Sequence, residues 1–170
     1  NVKKNICAVL AVSRSYFKLY EILKLFNLKI TICACIAEGP GGFMNCLNEK
    51  TTNELNYGIT LISNDRSIPY WNQHLLSNKK NKISLGMDHT GDIYKLENVE
   101  HFINEIGDNK CDLVTSDGGF DYSSNYNSQE EVSYRLLLCE IFTCLHIQKK
   151  GGNFILKIFD LFHYQTIQLI

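Results

Sequence analysis

The run Ile30-Thr31-Ile32-Cys33-Ala34-Cys35-Ile36, followed by Ala37-Glu38-Gly39-Pro40-Gly41-Gly42-Phe43, decides how this chain folds. An apolar, β-branched segment enters a glycine-rich turn, and Phe43 to Leu47 can begin a helix. Strand, glycine turn and helix in that order is the layout by which α/β proteins bring backbone N–H groups to a ligand at the carboxyl edge of a sheet. Two common glycine loops are excluded. A phosphate-binding P-loop needs Gly-Lys-Ser/Thr after its spacer, and Phe43-Met44 stands there instead. A dinucleotide fingerprint starting at Gly39 needs Gly or Ala at the position of Met44. Glu38 at the entrance would repel a bare pyrophosphate, so the loop suits a partly cationic ligand.

Outward from this turn, strands alternate with helices. A helical pattern spans Cys7 to Phe26, with Asn27 as its stop. Strands are expected at Ile30–Ala37, Tyr57–Ser63, Ile83–Leu85, Asp112–Ser116 and Asn153–Ile158. Helices are expected at Val99–Ile106, at Val132–Ile147 stopped by Gly151-Gly152, and from Phe162 onward. Such alternation implies right-handed crossovers and a mainly parallel sheet with helices on both faces, in one α/β domain spanning 1–170. Ligands bind outside the strand carboxyl ends of such sheets. Glu38, Asn64, Asp92, Asp117 and Lys157 are the polar residues that fall there. Lys157 is the least expected, since it lies inside Phe154-Ile155-Leu156-Lys157-Ile158-Phe159, where an unpaired ammonium is costly unless it snorkels to water.

Composition narrows the class. With 170 residues, 45% hydrophobic and 21% charged, the chain can pack one core. A net charge of −1 is no general attraction for nucleic acid. The sign is uneven, however: Lys3, Lys4, Arg14, Lys18, Lys24 and Lys29 crowd the first segment against Glu21, either as a solvated helix face or as an edge facing a polyanion. Seven cysteines without C-x-x-C spacing read as buried free thiols in a reducing compartment, with Cys33 and Cys35 on one face of their strand and no metal site. Lys3-Lys4 before Ile6 to Val12 imitates a signal peptide, but Ser13-Arg14 interrupts it. No apolar run approaches the about 20 residues that span a bilayer. Opening on Asn1, the chain is expected to be a piece of something longer.

Taken together, these positions resemble an S-adenosylmethionine-dependent 2′-O-ribose methyltransferase of the FtsJ type, with its Rossmann-like fold. Ser13-Arg14-Ser15-Tyr16-Phe17-Lys18-Leu19 is similar to that family's N-terminal segment, and Glu38 to Phe43 to its cofactor loop. Lys18, Asp117 and Lys157 match three members of its Lys-Asp-Lys-Glu tetrad. Ser116-Asp117-Gly118-Gly119-Phe120, Leu136-Leu137-Leu138-Cys139 and Gly151-Gly152 through Phe162 resemble the mRNA cap branch more closely, as does Gly91-Asp92-Ile93. The fourth tetrad position, a glutamate on a later strand, falls beyond Ile170, so the C-terminal part of the fold is expected to be missing.

The resemblance implies an RNA methyltransferase whose substrate is capped mRNA at its first transcribed nucleotide. Ribosomal or transfer RNA, or a catalytically inactive cofactor-binding scaffold, are the alternatives. It implies Lys18, Asp117 and Lys157 as the catalytic group, with Lys157 activating the hydroxyl. Ser13, Glu38, Gly39, Pro40, Gly41, Gly42, Phe43, Asp92, Ile93 and Asp117 would bind S-adenosylmethionine. Glu38 would meet its ammonium, Ser13 its carboxylate and Asp92 its adenine amino group, while the glycines would let backbone approach the methionine part. Tyr122, Tyr126 and Trp71 are candidate stacking surfaces for a cap or base. The expected setting is intracellular, in nucleus or cytoplasm, including a viral or parasite cytoplasm, with no membrane contact.

Overall fold

The computed structural model describes residues 9–120 and 128–170. In chain order the elements are α1 (Ser15–Leu25), β1 (Ile32–Ile36), α2 (Gly42–Lys50), β2 (Leu55–Ile59), α3 (Gln73–Leu76) and β3 (Asn81–Ser84). They continue with α4 (Leu96–Ile106), β4 (Cys111–Ser116), α5 (Gln129–Ile147), β5 (Gln148–Leu156) and α6 (Tyr164–Leu169).

Five strands form one sheet in the order β3-β2-β1-β4-β5, and every pairing is parallel. The order reverses between β1 and β4, which opens a crevice at their carboxyl ends. β1 shows how the two faces are filled. Ala34 and Ile36 point to one side, into a core with Tyr57, Ile59, Val114 and the α4 and α5 residues Val99, Phe102, Ile106, Leu136 and Ile147. Cys33 and Cys35 point to the other, against Tyr16 and Leu19 of α1, Phe43, Met44 and Leu47 of α2, and Trp71 and Leu75. Period-two alternation thus serves two helical layers, as the spacing of the two thiols predicted. The six described cysteines are free, and five are buried.

Boundaries moved where local signals misled. The first helix begins at Ser15 rather than near Cys7; positions 1–8 lie outside the described residues, and Val9 to Arg14 are not helical. β2 runs Leu55–Ile59 and stops short of Ser63, because its partner β3 is only four residues long. The short α3, with Asn72 Oδ1 accepting the His74 N–H at 2.9 Å, fills a stretch that carried no clear pattern. Gly151-Gly152 do not stop α5. The helix ends at Ile147 and both glycines lie within β5, where the register against β4 shifts between Cys111 and Leu113. A β-carbon on Gly152 would stand 2.9 Å from the Cys111 carbonyl oxygen, so the glycine permits a close strand approach rather than a helix stop.

Candidate active site

Four strand ends converge on one cavity of about 640 Å³, within the range of small-ligand pockets. The β1 end contributes Ala37 and Gly39, and the β2 end Thr60 and Leu61. The turn before α4 contributes Asp92, Ile93 and Tyr94, the β4 end Asp117 to Phe120, and the β5 end Lys157 and Phe159. Arg14 and Lys18 reach the same space from the other side.

At one end the cavity carries a charged cluster. Lys18 Nζ and Lys157 Nζ each lie 3.2 Å from the same oxygen, Asp117 Oδ1. Lys157 Nζ also donates to the Asp117 carbonyl oxygen at 2.8 Å and sits 4.9 Å from the centre of the Phe159 ring. The backbone N–H of Lys157 donates to the Ser116 carbonyl at 2.9 Å, extending the β4–β5 ladder into the site. An ammonium has three donors. One donates to the Asp117 carbonyl oxygen, and the ammonium also faces Asp117 Oδ1 and borders the cavity. Gly119 belongs to this geometry, since a β-carbon there would stand 2.9 Å from Lys157 Nζ. Lys18 is placed by the packing of α1 on α2: Tyr16 Oη donates to Glu49 at 2.9 Å, and the Val12 N–H donates to Asn45 Oδ1 at 3.1 Å.

At the other end the wall is apolar, formed by Leu61, Ile68 and Ile93, with Asp92 beside them. Asp92 Oδ1 accepts the Tyr94 N–H at 2.9 Å, and its other oxygen has no partner among the described residues. Buried Asn98 shapes this turn, donating to Thr90 Oγ1 at 3.2 Å and to the Asp92 carbonyl at 3.1 Å while accepting the Asp88 N–H at 3.1 Å. The Ile62 N–H donates to the Thr90 carbonyl at 2.7 Å, which ties the turn to the β2 end. A β-carbon on Gly91 would overlap the Thr60 carbonyl oxygen, so glycine is required for that approach.

Several expected cofactor contacts are placed elsewhere. Glu38 is 3% exposed and turns inward, where its carboxyl accepts the Phe43 and Met44 N–H groups. These are unsatisfied donors of the first turn of α2, and a buried carboxyl satisfies them at short range. It therefore does not face the cavity. Ser13 Oγ bonds to Ser15 Oγ at 2.6 Å, and both pack against Gly42. Gly41, with φ of 100°, lies against Leu75 and Trp71 instead of the cavity. Pro40, Gly42 and Phe43 are likewise absent from the lining, so of the glycine turn only Ala37 and Gly39 border it. Asn64 and Asp65 are exposed beyond the β2 end, and Thr60 and Leu61 take the position assigned to Asn64. Trp71 is 4% exposed and forms part of the core, which removes it as a stacking platform. Tyr122 and Tyr126 lie outside the described residues. Thr60, Leu61, Ile68 and Tyr94 carried no motif; a shorter β2 would have pointed to the first two.

The FtsJ-like methyltransferase family model matches residues 11–169, nearly the whole chain. The chain belongs to that family. Among its relatives, a cap-specific mRNA (nucleoside-2′-O-)-methyltransferase of Autographa californica nuclear polyhedrosis virus is 33% identical over 159 residues, covering 92% of this chain and 60% of that protein. A cap-specific mRNA (nucleoside-2′-O-)-methyltransferase 1 of Mus musculus is 30% identical over 167 residues, covering 88% of this chain and 19% of that protein. The chain thus spans less than two thirds of the length of these curated relatives. A crystal structure described as a ribosomal RNA methyltransferase of Plasmodium falciparum superposes with a TM-score of 0.58 at 24% identity, covering 92% of this chain and 82% of that one. That likeness speaks to the fold. No helix among the described residues is long and apolar enough to cross a membrane.

Two buried acids flank this family site, and they set a pH dependence of stability. Burial pushes the Glu38 carboxyl up to about 8 against the pull of its N–H donors, the Phe43 N–H first. Burial likewise pushes Glu140, on α5, up to about 7. In the unfolded chain both ionise near the ordinary value, so between pH 5 and pH 8 the folded state holds protons that the unfolded state has released. Stability must fall as pH rises through that window. Hydrogen bonds from Lys95 and Thr90 hold Asp88 well below the usual range, so its contribution is already complete by pH 5. Thermal unfolding at pH 5, 6, 7 and 8 is expected to show a falling midpoint. A midpoint rising across the series would contradict the buried protonated acids.

Proposed function

We propose that this chain transfers a methyl group from S-adenosylmethionine to a ribose 2′-hydroxyl of RNA, and that its substrate is the first transcribed nucleotide of capped mRNA. The observation that carries the reading is the meeting of Lys18 and Lys157 on Asp117 Oδ1 at the edge of a ligand-sized cavity. The cap assignment is supported by the printed names of the viral and mouse relatives.

The cavity fits the cofactor in two respects. Leu61, Ile68 and Ile93 offer an apolar slot of the kind a purine fills, and the available Asp92 oxygen can accept from an exocyclic amino group. When bound, S-adenosylmethionine supplies a methyl on a sulfonium, an excellent leaving group. The protein's work is therefore alignment and management of charge on the hydroxyl. Transfer would break the methyl carbon–sulfur bond as the bond to O2′ forms, leaving S-adenosylhomocysteine, and the hydroxyl proton would pass to solvent water. Lys157, whose side chain borders the cavity, meets the oxygen where negative charge grows. Asp117 keeps that ammonium aimed, and Lys18 shares the carboxylate from the solvent side, its side chain being 49% exposed against 24% for Lys157.

The test is the position of the new methyl group. Full-length protein incubated with capped RNA and methyl-labelled cofactor is expected to yield a first-nucleotide linkage that resists alkaline cleavage, because a methylated 2′-oxygen cannot attack the adjacent phosphate. Label on a base nitrogen, or transfer to uncapped ribosomal or transfer RNA in preference, would overturn the reading.

A further inference from the structure

Beneath the charged cluster lies a group that the tetrad resemblance does not include. Glu140 is 1% exposed, on the face of α5 that packs behind the β4 end. Its Oε1 accepts the Gly118 N–H at 3.2 Å, and the approach is so close that a β-carbon on Gly118 would overlap this oxygen. Oε2 is buried without a hydrogen-bond partner among the described residues. A fully buried carboxyl with one idle oxygen is expensive to keep. A neutral apolar side chain would serve packing at lower cost.

The titratable and charged groups that face it explain why the place matters. They are Asp117 from the β4 end, Lys157 from the β5 end, Tyr94 from the turn before α4, and Cys139 on its own helix. Lys157 is the single cation among them. Glu140 therefore stands behind the Asp117–Gly118 turn, with Lys157 on the far side of it.

We propose that Glu140 is a positioning residue for methyl transfer, its buried carboxyl fixing the Asp117–Gly118 turn and placing a second negative charge near Lys157 that helps hold the ammonium in place. This role rests on the proposed methyltransferase reading and adds to it a residue on α5. Burial opposes the ionisation of Glu140, while the Ser116 hydroxyl first, then the Lys157 charge and the Gly118 N–H, favour it. The charge is therefore absent in mild acid and present above neutrality.

Glu140→Gln is the direct test, since the amide oxygen can still accept from Gly118 while the charge is lost. Single-turnover rates of capped-RNA methylation across pH 6 to 10 are expected to agree for parent and variant at the acid end and to diverge above pH 7. The difference should develop around pH 7, where the parent's buried Glu140 carboxyl takes its charge. Cofactor affinity should stay within a few-fold. Glu140→Asp keeps the charge but withdraws it from Gly118, and should lower the rate several-fold. A rate loss equal at every pH, or rates of Glu140→Gln that match the parent at every pH, would overturn the proposal. Thermal unfolding supplies an arm independent of activity: the Gln variant should match the parent at pH 6 and exceed it at pH 8, and equal midpoints at both would also overturn it. A parent that makes no 2′-O-methyl product while this thermal arm behaves as expected would remove the methyltransferase reading, and the positioning role with it. A productive parent whose rates Glu140→Gln matches at every pH would remove the role of Glu140 alone.

Discussion

Replacing Lys157 with alanine is expected to lower the single-turnover rate of methyl transfer by about 10²-fold or more, the usual scale for a positioned proton-transfer or oxyanion partner. The structure explains why the loss should fall on the chemical step. Lys157 stands at the β5 end, where its ammonium is bonded to the Asp117 carbonyl, paired with Asp117 Oδ1 and bordering the cavity. The apolar slot and Asp92, which would hold the cofactor, belong to the β2 end, the 65–70 loop and the turn before α4. A group that acts only as charge develops changes turnover and leaves ground-state affinity in place. Cofactor affinity should therefore remain within a few-fold of the parent. Arginine is not expected to rescue, since a planar guanidinium does not reproduce the compact point charge of an ammonium. A rate within a few-fold of the parent would make Lys157 a structural lysine. Affinity collapsing together with rate would make it a support of the pocket.

How far the sequence foretold this arrangement depended on the range of the interactions involved. The parallel sheet was readable because β1, β4 and β5 are apolar runs that end in a distinctive turn or lysine, whereas the strand order and its reversal between β1 and β4 come from the fold. Lys18, Asp117 and Lys157 could be named from motifs, yet their meeting on one carboxylate oxygen is set by tertiary packing, since Lys18 is carried by α1 and Asp117 lies 99 residues away. The glycine turn shows the opposite limit. Glu38 was legible as an acid beside the cofactor loop, but the two N–H donors of α2 compete for it at closer range and win. Glu140 had no motif at all. It sits among the apolar residues of a helix, and only the fold reveals that its carboxyl lies under Gly118.

The same competition alters what the turn glycines are for, and Gly41 makes this measurable. Its φ of 100° is a conformation that costs an L-residue about 1–2 kcal/mol. A β-carbon there would overlap Leu75 Cδ1 and stand 2.9 Å from Trp71 Cε3, and overpacking of that kind costs about 1–3 kcal/mol. Gly41→Val is therefore expected to destabilise the fold by about 2–5 kcal/mol, a large share of the about 5–15 kcal/mol that holds a domain together. For a chain of this size the melting midpoint should drop by about 4–20 °C. Because Gly41 does not border the cavity, molecules that remain folded should still bind cofactor, which separates this expectation from one in which the glycine admits the ligand directly. Calorimetric unfolding and cofactor titration on the same preparation, well below the variant's midpoint, decide the matter. An unchanged midpoint with binding abolished would return Gly41 to the cofactor. A lowered midpoint with near-parental affinity in the folded fraction would assign it to the packing of the turn on α3 and Trp71.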